Sequence, residues 1–398
     1  TATAVFVLLF GFSSQSNAQE INDSLPKITL QEAVQLSKTN YPLLKQKLLE
    51  ITKQEKIKST AFDAGTTQLF YGGEEINDEN GIYTIGIGQS NIDVFGIGAK
   101  KRLQEQRIQL AQKAYQLSEL ELELEVKKAW AYCYQMKRKY RLYQELDSIY
   151  SNFEQAVTLN FEVEAISKLE YSAAKNQALQ VQSKKTQAFS DYVIALQQFN
   201  LWLASDGFFS VSDDYKDELE TNNDTLRIEE HPLYTISQNL IDEAEASYKA
   251  ARVKNVPKFN LQGGLQEVNG NSGFYTYQAG ISIPFLSGTN KAQIRSARID
   301  MEIAETSLLF KNQEVQSRFI QAKEKYKKWK VTWEFYKNEV LIVAKEQKMG
   351  DLLAYKEGEI DYTTFTQLIK EAIQSELESQ TALINYLEST FQLQYFNQ

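Results

Sequence analysis

Proline is rare in this 398-residue chain, and its distribution constrains the fold more than any other feature. The five prolines leave residues 43–231 and 285–398 without a single one. Proline breaks helices because its ring removes a backbone hydrogen-bond donor and clashes with the preceding turn. Helices much longer than those of a compact globular domain are therefore allowed over most of the chain.

The apolar residues of the C-terminal stretch follow the period of a coiled coil. They recur from Ile294 to Val340 at steps of three and four, apart from one step of seven, which predicts one narrow packing seam along a single helix from about residue 290 to 356. A helix of that length would extend roughly 100 Å at 1.5 Å per residue. The predicted seam consists of Ile294, Ala297, Met301, Ala304, Leu308, Val315, Phe319, Ala322, Tyr326, Trp329, Trp333, Tyr336 and Val340.

Two copies of one unit make up most of the chain. The segment "FEVEAISKLEY" at 161–171 aligns with "YKEGEIDYTTF" at 355–365, at an offset of 194. At the same offset, residues 83–87 align with 277–281. Self-similarity at a fixed offset indicates a tandem duplication.

The first residues have the composition of an export signal. An apolar run from Ala4 to Phe12 precedes Ser16-Asn17-Ala18, which is typical of a secretory signal peptide cleaved after Ala18. Because the chain does not begin with Met, a remnant of a longer fused polypeptide is the alternative. The predicted organisation is a signal peptide or fusion remnant (1–18), a first repeat (19–203), a linker or equatorial segment (204–230) and a second repeat (231–398).

Each repeat contains two predicted strands in which apolar and polar residues alternate. From 275 to 285 the odd positions are almost all aromatic or aliphatic, whereas the even positions are mostly small or polar. Strands of about ten residues with this alternation are typical of outer-membrane barrels. A half-buried sheet in a soluble domain is the common alternative for any one such strand. We predict strands at about 66–75, 82–90, 258–266 and 274–285, and lipid-facing side chains at Tyr83, Ile85, Ile87, Tyr277, Ile281 and Ile283.

Four strands are too few to close a barrel, and an open sheet edge cannot lie in lipid. Three copies would supply twelve strands, an even number within the known range. The predicted fold is therefore mainly α with a β-barrel part. A trimeric 12-stranded outer-membrane β-barrel, with four strands per chain, is continued by a long α-helical coiled-coil barrel.

Several classes of function receive no support from the sequence. The formal net charge is −9, with no basic face for nucleic acid, and one cysteine and one histidine cannot form a metal cluster of those residues. "FGIGAKK" at 95–101 lacks the spacing of a phosphate-binding loop. His231, before Pro232, is predicted to be a helix-entry residue. The sequence thus predicts neither an enzyme, nor a cofactor, nor a metal site.

On these residues the chain resembles the outer membrane efflux protein family, the TolC-like exit ducts of Gram-negative bacteria. The resemblance covers about 28–398 and is strongest in the duplication, in the strand exit "SIPFLSGTNKAQIRSA" at 282–297 and in the turns at 161–167 and 355–361. It implies a passive homotrimeric duct for drugs or metal ions. That duct would lie in the outer membrane, extend into the periplasm, and work with a periplasmic adaptor and an energy-supplying inner-membrane transporter. The alternatives are an exit duct for type I protein secretion and a soluble periplasmic coiled-coil adaptor or scaffold.

The resemblance also implies site residues at the two helix turns. The implied adaptor-docking tip comprises Glu164, Ala165, Ile166, Ser167, Lys168, Leu169, Gly358, Glu359, Ile360, Asp361 and Tyr362. The candidate gate carboxylates are Glu170, Asp361 and Glu371, for which solvated helix charges are the alternative interpretation. Glu164 occupies the place of Gly358, so we expect the first turn to differ from the second.

Overall fold

The computed structural model describes residues 25–77, 80–213, 228–284 and 288–397. The predicted signal peptide, residues 214–227 of the predicted linker, and Phe285 at the end of the fourth predicted strand lie outside the described residues. The described chain is mainly helical and contains one four-stranded antiparallel sheet, which confirms the predicted combination of elements.

The observed elements have the following bounds. The helices are α1 (Leu30–Asn40), α2 (Pro42–Ile57), α3 (Ile97–Glu162), α4 (Lys168–Leu203), α5 (Pro232–Arg252), α6 (Gly288–Phe335), α7 (Leu341–Lys356) and α8 (Tyr362–Asn397). The strands are β1 (Lys27–Ile28), β2 (Thr66–Asn77), β3 (Asn80–Ile92), β4 (Ser210–Val211), β5 (Lys258–Val268) and β6 (Asn271–Ser282). A π-helical turn, Tyr336–Val340, joins α6 to α7 within the region predicted as one helix.

Burial of the long helix follows the predicted heptad pattern. Every residue of the predicted seam is buried or half-buried. Apolar residues of α6 outside the seam, such as Leu309 and Val331, are exposed. The seam prediction is therefore confirmed along the whole of α6 and through the π-helical turn.

The described residues form two compact units. The first unit contains residues 25–41, 122–213 and 324–393, and the second contains residues 42–77, 80–121, 228–284, 288–323 and 394–397. The first unit therefore holds both helix turns, and the second holds the four-stranded sheet.

A short parallel strand pair is built into the first unit. β1 pairs with β4, with Ile28 opposite Val211. The indole nitrogen of Trp130 donates to the carbonyl of Ile28 over 3.3 Å, and Tyr192 lies 3.1 Å from the hydroxyl of Ser210. Buried aromatic side chains with satisfied polar atoms thus fix the start of the predicted linker against the helices.

A cluster of charges follows β4. Lys137 is fully buried, and its ammonium donates to the Val211 carbonyl over 2.8 Å and lies 3.0 Å from Asp213 Oδ1. Arg141 binds the same carboxylate with two nitrogens, and Lys27 lies 3.1 Å from it. Burial alone would raise the pKa of Asp213, but hydrogen bonds from these three cations outweigh it and hold that pKa well below its usual range. Asp213 therefore supplies the counter-charge for a buried lysine.

In the second unit, β2, β3, β5 and β6 pair antiparallel in that order. The central pair, β3 and β5, joins a strand of the first repeat to a strand of the second. Neither outer edge, on β2 or on β6, has a further strand among the described residues. His231 is the N-cap of α5, where its Nδ1 accepts from the Leu233 N–H over 3.2 Å, so its predicted place at a helix entry is confirmed.

We expect Asp213→Asn to lower the free energy of unfolding at pH 7 by about 2–3 kcal/mol. Removing one partner of a buried pair costs about 3–5 kcal/mol, and we place Asp213 below that range because its side chain is 32% exposed. The folded pKa of Asp213 is depressed, so its contribution is present above its unfolded pKa of about 3.9 and is lost as the pH falls below it. Urea titrations at pH 7 and pH 3 test this.

The Lys139–Asp191 pair, in which the side chains are 33% and 44% exposed and neither is buried, provides the matched control. Asp191→Asn should cost less than about 1 kcal/mol because exposed ion pairs are weak. A difference between wild type and Asp213→Asn that does not shrink in acid would contradict the role given to Asp213.

Candidate functional site

Two faces of the four-stranded sheet differ in chemistry. Residues directly opposite one another across antiparallel strands share a face. One face carries Leu69, Tyr71, Tyr83, Ile85, Ile87, Leu261, Leu265, Tyr275, Tyr277 and Ile281. The other carries Thr66, Gln68, Thr84, Ser90, Asn260, Gln262, Gln266, Thr276, Gln278 and Ser282, together with Phe70 and Phe274. The alternation read from the sequence thus appears as an apolar face and a polar face.

The apolar face is open. Tyr277 is 90% exposed and Leu69 is 84% exposed, although both are large apolar side chains. Five of the six predicted lipid-facing residues lie on this face, and Ile283 lies one residue beyond the end of β6. Contiguous exposed apolar surface of this extent marks contact with a membrane or another protein.

Two glycines lie at crowded positions in the middle of the sheet. A Cβ atom added at Gly86, on the polar face, would lie 2.5 Å from the Gly263 carbonyl oxygen, and one at Gly264 would lie 2.5 Å from the Ile85 carbonyl oxygen. On the apolar face, a Cβ atom at Gly263 would have no atom closer than 3.6 Å. Glycine in a strand often marks a place where another backbone approaches closely. The backbones of β3 and β5 therefore leave no room for a side chain at Gly86 or Gly264.

The two helix turns of the first unit have the same backbone. Glu164 has a φ of 59° and Gly358 a φ of 76°, both in the left-handed region. The Glu164 N–H donates to the Phe161 carbonyl over 3.0 Å, as the Gly358 N–H donates to the Tyr355 carbonyl over 3.1 Å. The expectation that Glu164 changes the first turn is therefore wrong. The chain keeps the conformation and accepts a strained non-glycine residue in it.

The helices that leave the two turns are capped in related ways. Ser167 Oγ accepts from the Glu170 N–H over 3.2 Å, and Glu170 Oε2 accepts from the Ser167 N–H over 2.9 Å, which is a capping box. In the second turn, Asp361 Oδ1 accepts from the Thr364 N–H over 2.8 Å. Asp361 and Thr364 correspond to Ser167 and Glu170 in the repeat, so the cap positions are retained.

Stacked aromatic rings close each hairpin. Phe161 stacks on Tyr171 at 4.7 Å between ring centroids, and Tyr355 stacks on Phe365 at 4.8 Å. Phe153, which the sequence did not single out, packs on the second pair and also stacks on Tyr362 at 4.7 Å. The second hairpin is therefore covered by a residue of the first repeat.

The predicted docking residues divide into an exposed and an inward group. Ile166, Ile360 and Tyr362 pack against the core of the first unit. The exposed residues are Glu164, Ala165, Ser167, Lys168, Leu169, Gly358, Glu359 and Asp361. Val163, which the prediction omitted, is 72% exposed, and Leu169 is 80% exposed. Their exposure depends on which side of each helix faces the core, so the motif alone did not reveal it.

Each predicted gate carboxylate has a local hydrogen-bond partner. Glu170 belongs to the capping box, and hydrogen bonds from the backbone and side chain of Thr364 lower the pKa of Asp361. Glu371 accepts from Gln367 Nε2 over 3.2 Å. Near Glu371 the structure also shows Asp351, a carboxylate that the sequence did not single out. Burial is the main cause that raises the pKa of Asp351, and the nearby charge of Glu371 raises it further. The gate assignment of Glu170, Asp361 and Glu371 stays a prediction.

Among the described residues, no group of His, Cys, Asp and Glu side chains could hold a metal ion. None of the described helices combines the length and the apolar character needed to cross a membrane.

Solved outer-membrane channels share this fold, although the sequence matches no model of a known protein family and no curated protein. The CmeC outer membrane channel of Campylobacter jejuni aligns with a TM-score of 0.78 at 12% identity, covering 100% of this chain and 93% of that chain. The MtrE outer membrane channel of Neisseria gonorrhoeae, in its open state, aligns with a TM-score of 0.73 at 16% identity, covering 92% and 88%. CusC aligns with a TM-score of 0.76 at 14% identity, covering 94% and 92%.

The chain therefore has the fold of the TolC-like outer membrane efflux channels. The resemblance read from the duplication and the helix turns is confirmed at the level of the fold. The similarity extends over nearly the whole length of both chains, so the sheet and the long helices both belong to it.

We expect Glu164→Gly and Gly358→Ala to change stability in opposite directions. A left-handed conformation costs a non-glycine residue about 1–2 kcal/mol. Glu164→Gly should therefore stabilise the protein by up to about 1 kcal/mol after the greater chain entropy of glycine is counted. Gly358→Ala should destabilise it by about 1 kcal/mol, because a Cβ atom there meets nothing within 4 Å and only backbone strain is added. Urea unfolding measures both, and equal effects of the two changes would contradict the shared turn.

Proposed function

We propose that this chain is one subunit of a homotrimeric outer-membrane channel that serves as the passive exit duct of an efflux system. The single observation that carries the proposal is the sheet. It combines an exposed apolar face, an opposite polar face and two edges without strand partners among the described residues. A sheet inside a soluble domain would cover the apolar face.

Pairing between copies would give hydrogen-bond partners to the backbone groups at the open edges of the sheet. Unpaired backbone N–H and C=O groups cost several kcal/mol each in hydrocarbon, so a membrane sheet must close. β3 of the first repeat already pairs antiparallel with β5 of the second repeat. The same relation between β6 of one copy and β2 of the next would close three copies into a twelve-stranded barrel with its apolar face in lipid.

The helices supply the periplasmic part of the proposed duct. In the proposal, the coiled-coil seam packs neighbouring helices into a wall, and the two helix turns form the surface for a periplasmic adaptor. An inner-membrane transporter supplies the energy, and the cargo is a drug or a metal ion. A soluble adaptor or scaffold is disfavoured because it does not account for the exposed apolar face of the sheet.

Arginine placed on either face of β6 tests the orientation of the sheet. Tyr277 and Gln278 are consecutive residues on the apolar and the polar face, respectively. Tyr277→Arg should prevent assembly because Arg on the lipid face costs about 2–4 kcal/mol near the bilayer midplane. Gln278→Arg, facing the aqueous lumen, should still give trimers.

The measurement is the amount of heat-sensitive trimer in the outer-membrane fraction. Gln278→Arg is the matched control, since it adds the same charge one residue away. Equal amounts of trimer for both variants would reject the proposed orientation.

Neutral variants that keep the helix caps test the proposed gate. Asp361→Asn and Glu170→Gln remove charge but retain a side-chain acceptor for the cap. If these carboxylates hold the constriction closed in the trimer, single-channel conductance in planar bilayers should rise. Glu359→Gln, an exposed charge in the same turn outside the cap, is the matched control. Conductance equal to that of wild type would assign the two carboxylates to capping alone.

A further inference from the structure

Three glutamines line up across the polar face of the sheet. Gln68 lies opposite Gly88, Gly88 lies opposite Gln262, and Gln262 lies opposite Gln278. The row therefore crosses all four strands, and only glycine interrupts it. We call Gln68, Gln262 and Gln278 the amide belt.

Hydrogen bonds hold part of the amide belt and its neighbours in place. Gln262 Nε2 donates to Gln278 Oε1, which leaves the Oε1 of Gln262 and the Nε2 of Gln278 for other partners. One row away, Asn260 Nδ2 donates to Ser282 Oγ over 2.6 Å. On the other side, Gln266 Nε2 donates to Thr84 Oγ1 over 3.2 Å. The middle of the polar face thus offers amides and hydroxyls that both donate and accept.

Charge is confined to the ends of this face. Among the described side chains of the four strands, the polar face carries a carboxylate at Glu74 and an ammonium at Lys258, which lie toward opposite ends of the sheet. The rows between them contain no ionisable side chain. Because rings of charged side chains are what select ions by sign in pores, this part of the sheet has no means of such selection.

An aromatic ring lies beside the amide belt. Phe70 is in the next row, and its ring atoms would be 2.5 Å from a Cβ atom at Gly86. The ring therefore covers the glycine on the polar face of the sheet. A solute that passes this surface meets neutral hydrogen-bonding groups next to an apolar ring.

We propose that the amide belt lines the pore and passes solutes without regard to the sign of their charge. The proposal rests on the trimeric channel proposed above, in which each copy contributes three amides. Uncharged hydroxyl, amide and amine groups of a solute can replace their hydrogen bonds to water with hydrogen bonds to the amide belt, because carboxamides both donate and accept. Any discrimination by charge is then left to groups outside these uncharged rows.

The test measures reversal potential across a planar bilayer under a potassium chloride gradient, using the full-length trimer. Gln278→Glu should shift the reversal potential toward cation selectivity, and Gln278→Lys should shift it toward anion selectivity. Gln278→Asn, which keeps the amide, should leave the reversal potential at the wild-type value. Conducting pores in which both charged variants retain the wild-type reversal potential would overturn the proposal.

Thiol labelling gives a second readout on the same position. The native Cys133 is buried, which raises its thiol pKa to about 12 and keeps it unreactive. A membrane-impermeant charged thiol reagent should label Gln278→Cys and lower its conductance, whereas Tyr277→Cys on the lipid face should stay unlabelled. Absence of labelling at Gln278→Cys in conducting pores would overturn the proposal that the amide belt lines the pore, but not the proposed channel. Absence of pores for the wild-type protein would overturn the proposed channel and the belt with it.

Discussion

The backbone N–H and C=O groups at the two edges of the sheet need hydrogen-bond partners, and the rest of the structure depends on this constraint. β2 and β6 each present a row of backbone groups that no described strand of the same chain satisfies. In water such edges invite pairing with another chain, and in lipid they are prohibitively costly. In the proposed channel, the exposed tyrosines, isoleucines and leucines of the apolar face lie in lipid, and pairing between copies satisfies the two edges.

Tandem duplication explains how one chain can specify both contacts. The pairing of β3 with β5 joins the two repeats, and the pairing of β6 with β2 would join two copies by the same relation. A sequence selected for the first contact thereby already resembles one suited to the second. The matching hydrogen bonds at Glu164 and Gly358 show that the repeats have also kept their turn geometry.

Local periodicity made the helices and strands predictable, and long-range contacts account for what was missed. The heptad steps from Ile294 to Val340 and the alternation from Tyr275 to Ile283 are properties of neighbouring residues, and the structure reproduces both. The cluster at Asp213 joins residues far apart in the chain, so no local sequence motif could predict it. The left-handed Glu164 was misjudged because residue type suggested a different turn, whereas hydrogen bonds shared with the second repeat impose the same one. The exposure of Val163 likewise depends on packing.

The two hairpins share a backbone but differ in what they show to a partner. Phe365 is fully buried beneath Phe153, whereas its counterpart Tyr171 is only half-buried. Val163 and Leu169 are exposed on the first hairpin, and the corresponding positions of the second hold Glu357 and Thr363. The first turn keeps the shape of the second although this strains Glu164, and its different side chains give it a different chemistry. A partner that recognised backbone shape alone would treat both hairpins alike, whereas a partner that contacted Val163 and Leu169 would tell them apart.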